Sequence, residues 1–324
     1  MRRLSLVVPL VLATLLSCKR KDEVRKDDVR AASVRLVYRA VVPPDVADHV
    51  AVVERTRQTV RRRIEAFRIA GVRVAGAGDE VVLDFDQGAV SELGNLDVAL
   101  TREGRLEFVL LTDDDDAVGS IDLAVHPLPR GATIQNELAP IGLSPDGQVK
   151  QAGVHFVRLV KQPSESLDEA SARLGQWLMD STTPGHAFLP GFASDPQTGE
   201  ELREAIRSYG AAPHADLDDS ALSDAQASID RSRPDQLYYV ALTFTPEGTE
   251  RFRALTAANV KRRFAIVLDG WVNSAPVIQT EIRGGHASLT LGPHSTEAEA
   301  RSLAGILRIH RLPAKLTFVS KNKL

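Results

Sequence analysis

Apolar and polar positions divide this chain into three regimes. From Leu4 to Leu16 the sequence is apolar except at Ser5, Pro9 and Thr14, and Arg2 and Arg3 stand ahead of it. A positive start and a short apolar core have the layout of a secretory signal, and the core is too short for a comfortable membrane span. From Lys19 to Ala32 charges of both signs dominate. Such a stretch cannot bury enough apolar surface to fold, so it predicts a solvated tether with a flexible reach of about 20 Å. From Val34 onward, periods of two and of 3.6 residues take over, and the folded part begins there.

Val34–Tyr38 alternates and predicts a strand. A helix follows from about Asp45 to Ala70, with Val53, Val60, Ile64 and Phe67 on one face. Arg61, Arg62 and Arg63 sit towards its C-terminal end, where positive charge suits the helix dipole, and Gly71 is the expected stop. The Arg triplet reads as a solvated helix surface, with an anion site as the alternative. Strands are expected at Val72–Val74 and Val81–Phe85, a short helix at Val90–Leu100 and a further strand at Arg105–Leu111. The order βαββαβ is that of a split β-α-β sandwich, which makes the fold class α+β.

The middle of the chain carries weaker signals. The acidic run Asp113–Asp116 has no regular ligand spacing, and a solvated loop is expected over a cation site. Residues 126–151 are rich in Pro and Gly and predict irregular structure with short strands. Helices are expected at Glu165–Met179, Thr198–Ser208 and Ser220–Asp230, and Asp218-Asp219 is expected to face water. Order returns with a strand at Leu237–Phe244. Thr245 can then cap a helix that has Pro246 at its first position and runs to about Arg262. Phe264–Leu268 and Trp271–Ile278 form a hairpin through Asp269-Gly270, and His286–Leu291 is a strand. Thr296 and Glu299 make a capping box for a last helix, and Lys315–Val319 is the last strand.

Composition sharpens the picture at two points. A net charge of −3 gives no reason to expect nucleic acid. The only cysteine is Cys18, at the end of Leu15-Leu16-Ser17-Cys18, so no intramolecular disulfide can form. No later apolar run approaches the ~20 residues of a membrane helix.

Two family resemblances follow from these residues. Leu15, Ser17 and Cys18 resemble the lipobox of a bacterial lipoprotein signal. That resemblance implies removal of residues 1–17 and acylation of Cys18, with membrane lipid as the partner through acylated Cys18 and residues 18–32 as lipidated cysteine and charged tether. The alternative is an ordinary cleaved signal or an uncleaved anchor. By the sorting rule of enteric bacteria, Lys19 permits transfer to the outer membrane.

Seven spaced blocks between residues 238 and 319 resemble the periplasmic P1 region of SecD, an accessory subunit of bacterial Sec protein export. They include Leu242-Thr243-Phe244-Thr245-Pro246-Glu247-Gly248, Ala265-Ile266-Val267-Leu268-Asp269-Gly270, Ser274-Ala275-Pro276-Val277-Ile278, Gly284-Gly285 and Leu312-Pro313. A weaker likeness extends from residue 33. The resemblance implies a ferredoxin-like base at 33–111 plus 296–320 and an inserted α+β head at 112–295. It also implies contact with exported, unfolded preproteins or Sec translocon components at the cell envelope, facing the periplasm. SecD carries P1 between membrane helices that couple ion flow to export. Here a lipoprotein signal takes the place of the first helix and the chain ends at Leu324, so ion-driven activity is not expected. His310-Arg311 also departs from the family's small, Gly-containing stretch before Leu-Pro.

Gly-x-Ser-x-Gly, Walker A and His-Glu-x-x-His patterns are missing from the sequence, and the eight His residues show no zinc spacing. No enzyme activity, catalytic residue, metal, cofactor or small-molecule substrate is expected. The sequence leaves preprotein-contacting residues unassigned. The rival reading is an envelope scaffold or interaction lipoprotein unrelated to export, because fold likeness alone does not choose a function.

Overall fold

The computed structural model describes residues 32–89, 100–195, 201–231, 237–291, 295–309 and 311–324. In chain order the strands and helices are β1 (Ala32–Val41), α1 (His49–Ala66), β2 (Val72–Ala75), β3 (Glu80–Asp86) and β4 (Leu106–Leu110). The long hairpin β5 (Ala132–Leu143) and β6 (Val149–Val160) follows, then α2 (Leu167–Ser181), β7 (Ala187–Ser194), β8 (Glu201–Ala211) and β9 (Leu217–Asp218). The rest is β10 (Leu222–Ile229), β11 (Tyr238–Phe244), α3 (Pro246–Ala258), β12 (Phe264–Leu268), β13 (Trp271–Ser274), β14 (His286–Thr290), α4 (Glu297–Ile309) and β15 (Lys315–Lys323). The α+β class holds.

Alternation on β1 sends Val34, Leu36, Tyr38 and Ala40 to one side, where they meet Val81, Leu83 and Phe85 of β3 and Val53 and Val60 of α1. The sheet runs β15-β1-β3-β2, antiparallel throughout. With α1 joining β1 to β2 and α4 leading into β15, this is the strand order of a split β-α-β unit, consistent with a ferredoxin-like base. The second helix and fourth strand of that unit are α4 and β15, however. The expected helix at 90–100 falls almost wholly on residues 90–99, which lie outside the described residues. The strand at 105–111, expected beside it in the base, joins another sheet. Its alternating Leu106 and Phe108 are buried against Phe244, Phe252 and Phe264 rather than against the base.

That second sheet has the order β5-β6-β8-β7-β13-β12-β4-β9. It curls, because Leu111 bridges Ala211 and Ile141 bridges Arg262, which returns the end of β4 to β8 and the end of β5 to the start of β12. Phe108, Phe264 and Ile266 point into one core, and Val109, Ala265 and Val267 into another. All five residues of β12 are therefore buried, as a strand covered on both faces must be. A third sheet, β10-β11-β14, closes the first of these cores together with α3 and α4. Leu303, Ala304 and Leu307 of α4 enter that core, while Gly305 on the same helix admits Phe67 of the base so closely that a Cβ would lie 2.1 Å from its ring.

Several local expectations are corrected. Helices were expected at 198–208 and 220–230, but the described residues 201–208 and 222–229 of those stretches form strands. Helix propensity is a weak prior, and pairing of β8 with β6 and β7, and of β10 with β11, overrides it. The first helix is shorter than 45–70. Asp48 is its N-cap and accepts from Ala51 N–H at 2.9 Å, and Arg68 at φ 54° ends the helix before Gly71 is reached. Trp271–Ile278 stops as a strand at Ser274, ahead of Pro276.

Other signals work as read. Thr245 Oγ1 accepts from Gly248 N–H at 3.0 Å. Asp269 and Gly270, at φ 53° and 83°, make a hairpin turn with both central residues left-handed. Thr296 and Glu299 exchange their capping hydrogen bonds at 3.2 and 2.8 Å.

Candidate functional site

The acidic run is a turn beside the larger sheet, with Asp114 and Asp115 exposed as expected of a loop but Asp113 buried. Each of its four carboxylates meets a basic side chain. Asp113 is buried and takes two hydrogen bonds from the Arg263 guanidinium, at 2.6 and 2.7 Å. Asp114 accepts from Arg262 at 2.7 Å, Asp115 from His186 at 2.8 Å and Asp116 from His155 at 2.6 Å. These partners lie 39 to 150 residues away along the chain, on β6, on the turn before β7 and at the entry to β12.

The chain of charges continues through the hairpin. Arg263 also reaches Glu137 of β5 at 2.6 Å, and Glu137 accepts a two-pronged contact from Arg207 of β8. The Arg207 guanidinium lies over two aromatic rings, 3.8 Å from the centre of Phe156 and 4.6 Å from that of Tyr209. Burial raises the Glu137 carboxyl, but its two arginine partners outweigh this and hold it below the usual carboxylate range. Burial likewise raises Asp116, and bonds from the His155 ring and N–H and from Gly119 N–H bring it below that range. Four strands that are remote in sequence are thus pinned around one half-buried ion-pair chain.

His186 is held between two acceptors. Its Nδ1 lies 2.8 Å from the Thr183 carbonyl oxygen and its Nε2 2.8 Å from Asp115 Oδ2. Only the doubly protonated ring can donate to both. The Thr183 carbonyl first, and Asp115 second, raise the His186 pKa above its ordinary 6.5. A raised folded-state value stabilises the fold fully below the unfolded value, and the gain is lost as pH rises through the folded value. The urea midpoint of the protein is therefore expected to fall, relative to that of His186→Gln, as pH climbs past 6.5; parallel profiles for the two chains would refute the role of this pair.

Other charged residues depart from their expected settings. Arg63 is fully buried, where a solvated surface was expected. Its guanidinium fills a nest of carbonyls, donating to Leu100 and Glu103 at 3.1 Å each and also to Arg102. Burial lowers its pKa to about 10. Asp219 is buried rather than facing water, while Asp218 caps a single 3-10 turn at Ser220 N–H. Asp269 does more than shape its turn, accepting from Arg102 and from Arg105 N–H at 2.8 Å each.

Cys18 and all of residues 1–31, including the expected signal, lie outside the described residues. Among the described residues, no group of three or more His, Cys, Asp or Glu is placed to hold a metal ion. A contact surface stands out instead. Among the described residues β5 is the outer strand of its sheet, so one side of it has no ladder partner there until Ile141 bridges Arg262. Leu138 on that strand is 74% exposed, and Leu143 and Val149 pair across the hairpin with both side chains exposed. Unpaired backbone groups beside exposed apolar side chains are what an added extended strand requires.

Comparison with known proteins places this geometry. Residues 200–314 match the SecDF P1 head subdomain family. Protein translocase subunit SecD of Syntrophobacter fumaroxidans is 46% identical over 100 residues, covering 31% of this chain and 18% of that protein. SecD of Acetobacter pasteurianus is 40% identical over 111 residues, 34% of this chain and 20% of the other. SecDF of Thermus thermophilus is 47% identical over 96 residues, 29% of this chain and 12% of the other. The chain thus aligns with a fifth or less of these relatives.

Two solved structures share the fold. One, described as "Structure and function of a membrane component SecDF that enhances protein export", has a TM-score of 0.51 at 21% identity and covers 88% of this chain and 98% of its own. The other, a SecDF in "Super-membrane-facing form", has a TM-score of 0.52 at 22% identity and covers 89% of this chain and 30% of its own.

Proposed function

We propose that this protein is an envelope-facing, lipid-anchored binding module of the SecD P1 kind, whose head contacts unfolded polypeptides during protein export. The observation that carries the reading is the match of residues 200–314 to the SecDF P1 head subdomain. Its support from chemistry is the β5 edge. An extended chain can add to it through main-chain hydrogen bonds, which are blind to sequence, while Leu138 and Leu143 offer apolar contact. No helix among the described residues is long and apolar enough to cross a membrane. Attachment is assigned to acylated Cys18, where two or three acyl chains at about 0.8 kcal/mol per buried methylene make a stable anchor.

Two experiments test the two halves of this reading. A photoreactive residue at Leu138 is expected to trap exported chains in transit, and labelling no stronger than on an unrelated lipoprotein counts against client contact. Recovery of one folded partner in place of such clients would favour the scaffold reading. Separately, Cys18→Ser is expected to release the protein from membranes, and unchanged retention would sink the anchor.

A further inference from the structure

We infer that the β15 edge of the base docks on the surface of an anionic phospholipid bilayer; the inference rests on the envelope reading above. Three observations converge on this edge. First, among the described residues β15 is the outer strand of its sheet and is hydrogen-bonded there to β1 alone. Second, exposed apolar side chains gather along it. Phe318 and Val319 are 55% and 48% exposed, Leu324 follows the strand, and exposed Val41 lies across the ladder from Lys315. Third, the charge here has one sign. Residues 311–324 contain Arg311, Lys315, Lys321 and Lys323 and no acidic residue. Lys321 and Lys323 are exposed. Arg311 and Lys315 approach acids no closer than 4.0 Å, at Asp219 and Asp168.

The rest of the chain supplies the orientation. Residues 105–310 carry 18 basic against 28 acidic residues, whereas residues 32–104 together with 311–324 carry 14 against 11. An anionic surface therefore attracts the base and repels the larger inserted part. Lysines around modest apolar side chains suit a headgroup layer, where ammonium groups meet phosphates and the apolar groups settle at the acyl boundary. A second copy presenting the same edge would meet four like charges. An extended polypeptide would gain nothing from the excess of lysine unless it were acidic.

The test uses the full chain with a photoreactive benzoylphenylalanine at position 318 or, as the control, at position 138. Each is mixed with vesicles containing phosphatidylglycerol or with pure phosphatidylcholine vesicles. Lipid adducts at 318 are expected to be at least about fivefold more abundant on the anionic vesicles, to fall as salt is raised, and to vanish in the triple variant K315E/K321E/K323E. Equal yields at 318 and 138, equal yields on both lipids, or survival of the charge reversal would overturn the proposal. So would adducts to a second copy or to polypeptide in place of lipid. Repeating the experiment in Cys18→Ser separates the surface from the anchor. Adducts that persist at 318 there support the surface even if Cys18 proves dispensable for retention, and a retained wild-type chain with no adduct at 318 overturns the surface while leaving the anchor standing.

Discussion

Replacing Arg263 by Ala is expected to destabilise the protein by about 3–5 kcal/mol, the range for removing one partner of a buried ion pair. The reason lies in what the substitution leaves behind. Asp113 is 6% exposed and would lose both guanidinium bonds, and Glu137 would keep Arg207 alone. Asp113→Asn should restore part of the loss in the double variant, because a neutral amide is cheaper to bury than an orphaned carboxylate. Urea denaturation of the four chains of this cycle yields the coupling directly. Additive losses from the two single substitutions would show that the pair is not coupled and that the chain of charges is incidental.

The second large effect is expected at Phe108. Its ring lies 5.6, 5.7 and 6.1 Å from those of Phe244, Phe252 and Phe264, and it is fully buried. Phe108→Ala should cost about 3–5 kcal/mol through lost transfer energy and an unfilled cavity. Phe108→Leu keeps most of the volume and should cost clearly less. The two midpoints, taken by near-ultraviolet dichroism, check the ranking; equal losses would mean that the cavity collapses and that the aromatic cluster is not tightly packed.

These two sites mark where the sequence could be read and where it could not. Local chemistry was legible. Thr245 with Pro246, Thr296 with Glu299 and Asp269-Gly270 each specify their turn or cap within four residues, and each forms as read. The strand holding Phe108 was also legible, but its sheet was not, because alternation says that one face is buried and not which partner buries it. The same limit hid the ion-pair chain. Asp113–Asp116 and Arg262-Arg263 look like solvated charge runs when read alone, and only the fold brings residues 150 positions apart to 2.6 Å. β8 and β10 failed for a related reason. The Glu, Leu, Arg and Ala of β8 and the Leu, Gln and Ala of β10 favour helix in isolation, and the ladders that outweigh this come from other strands. The β5 edge left no signal of its own, since an outer strand and an inner one can share the same composition.

The double allegiance of α4 sets a limit on how this molecule can come apart. The helix completes the smaller sheet's topology and also lends Leu303, Ala304 and Leu307 to the aromatic core of the inserted part. An inserted part cut away without it would lose a wall of its own interior, and a base left without it would lose the link from the insertion to β15. The two should therefore melt in one cooperative step. In hydrogen–deuterium exchange the amides of α4 should be among the last to exchange, opening only when the whole protein does.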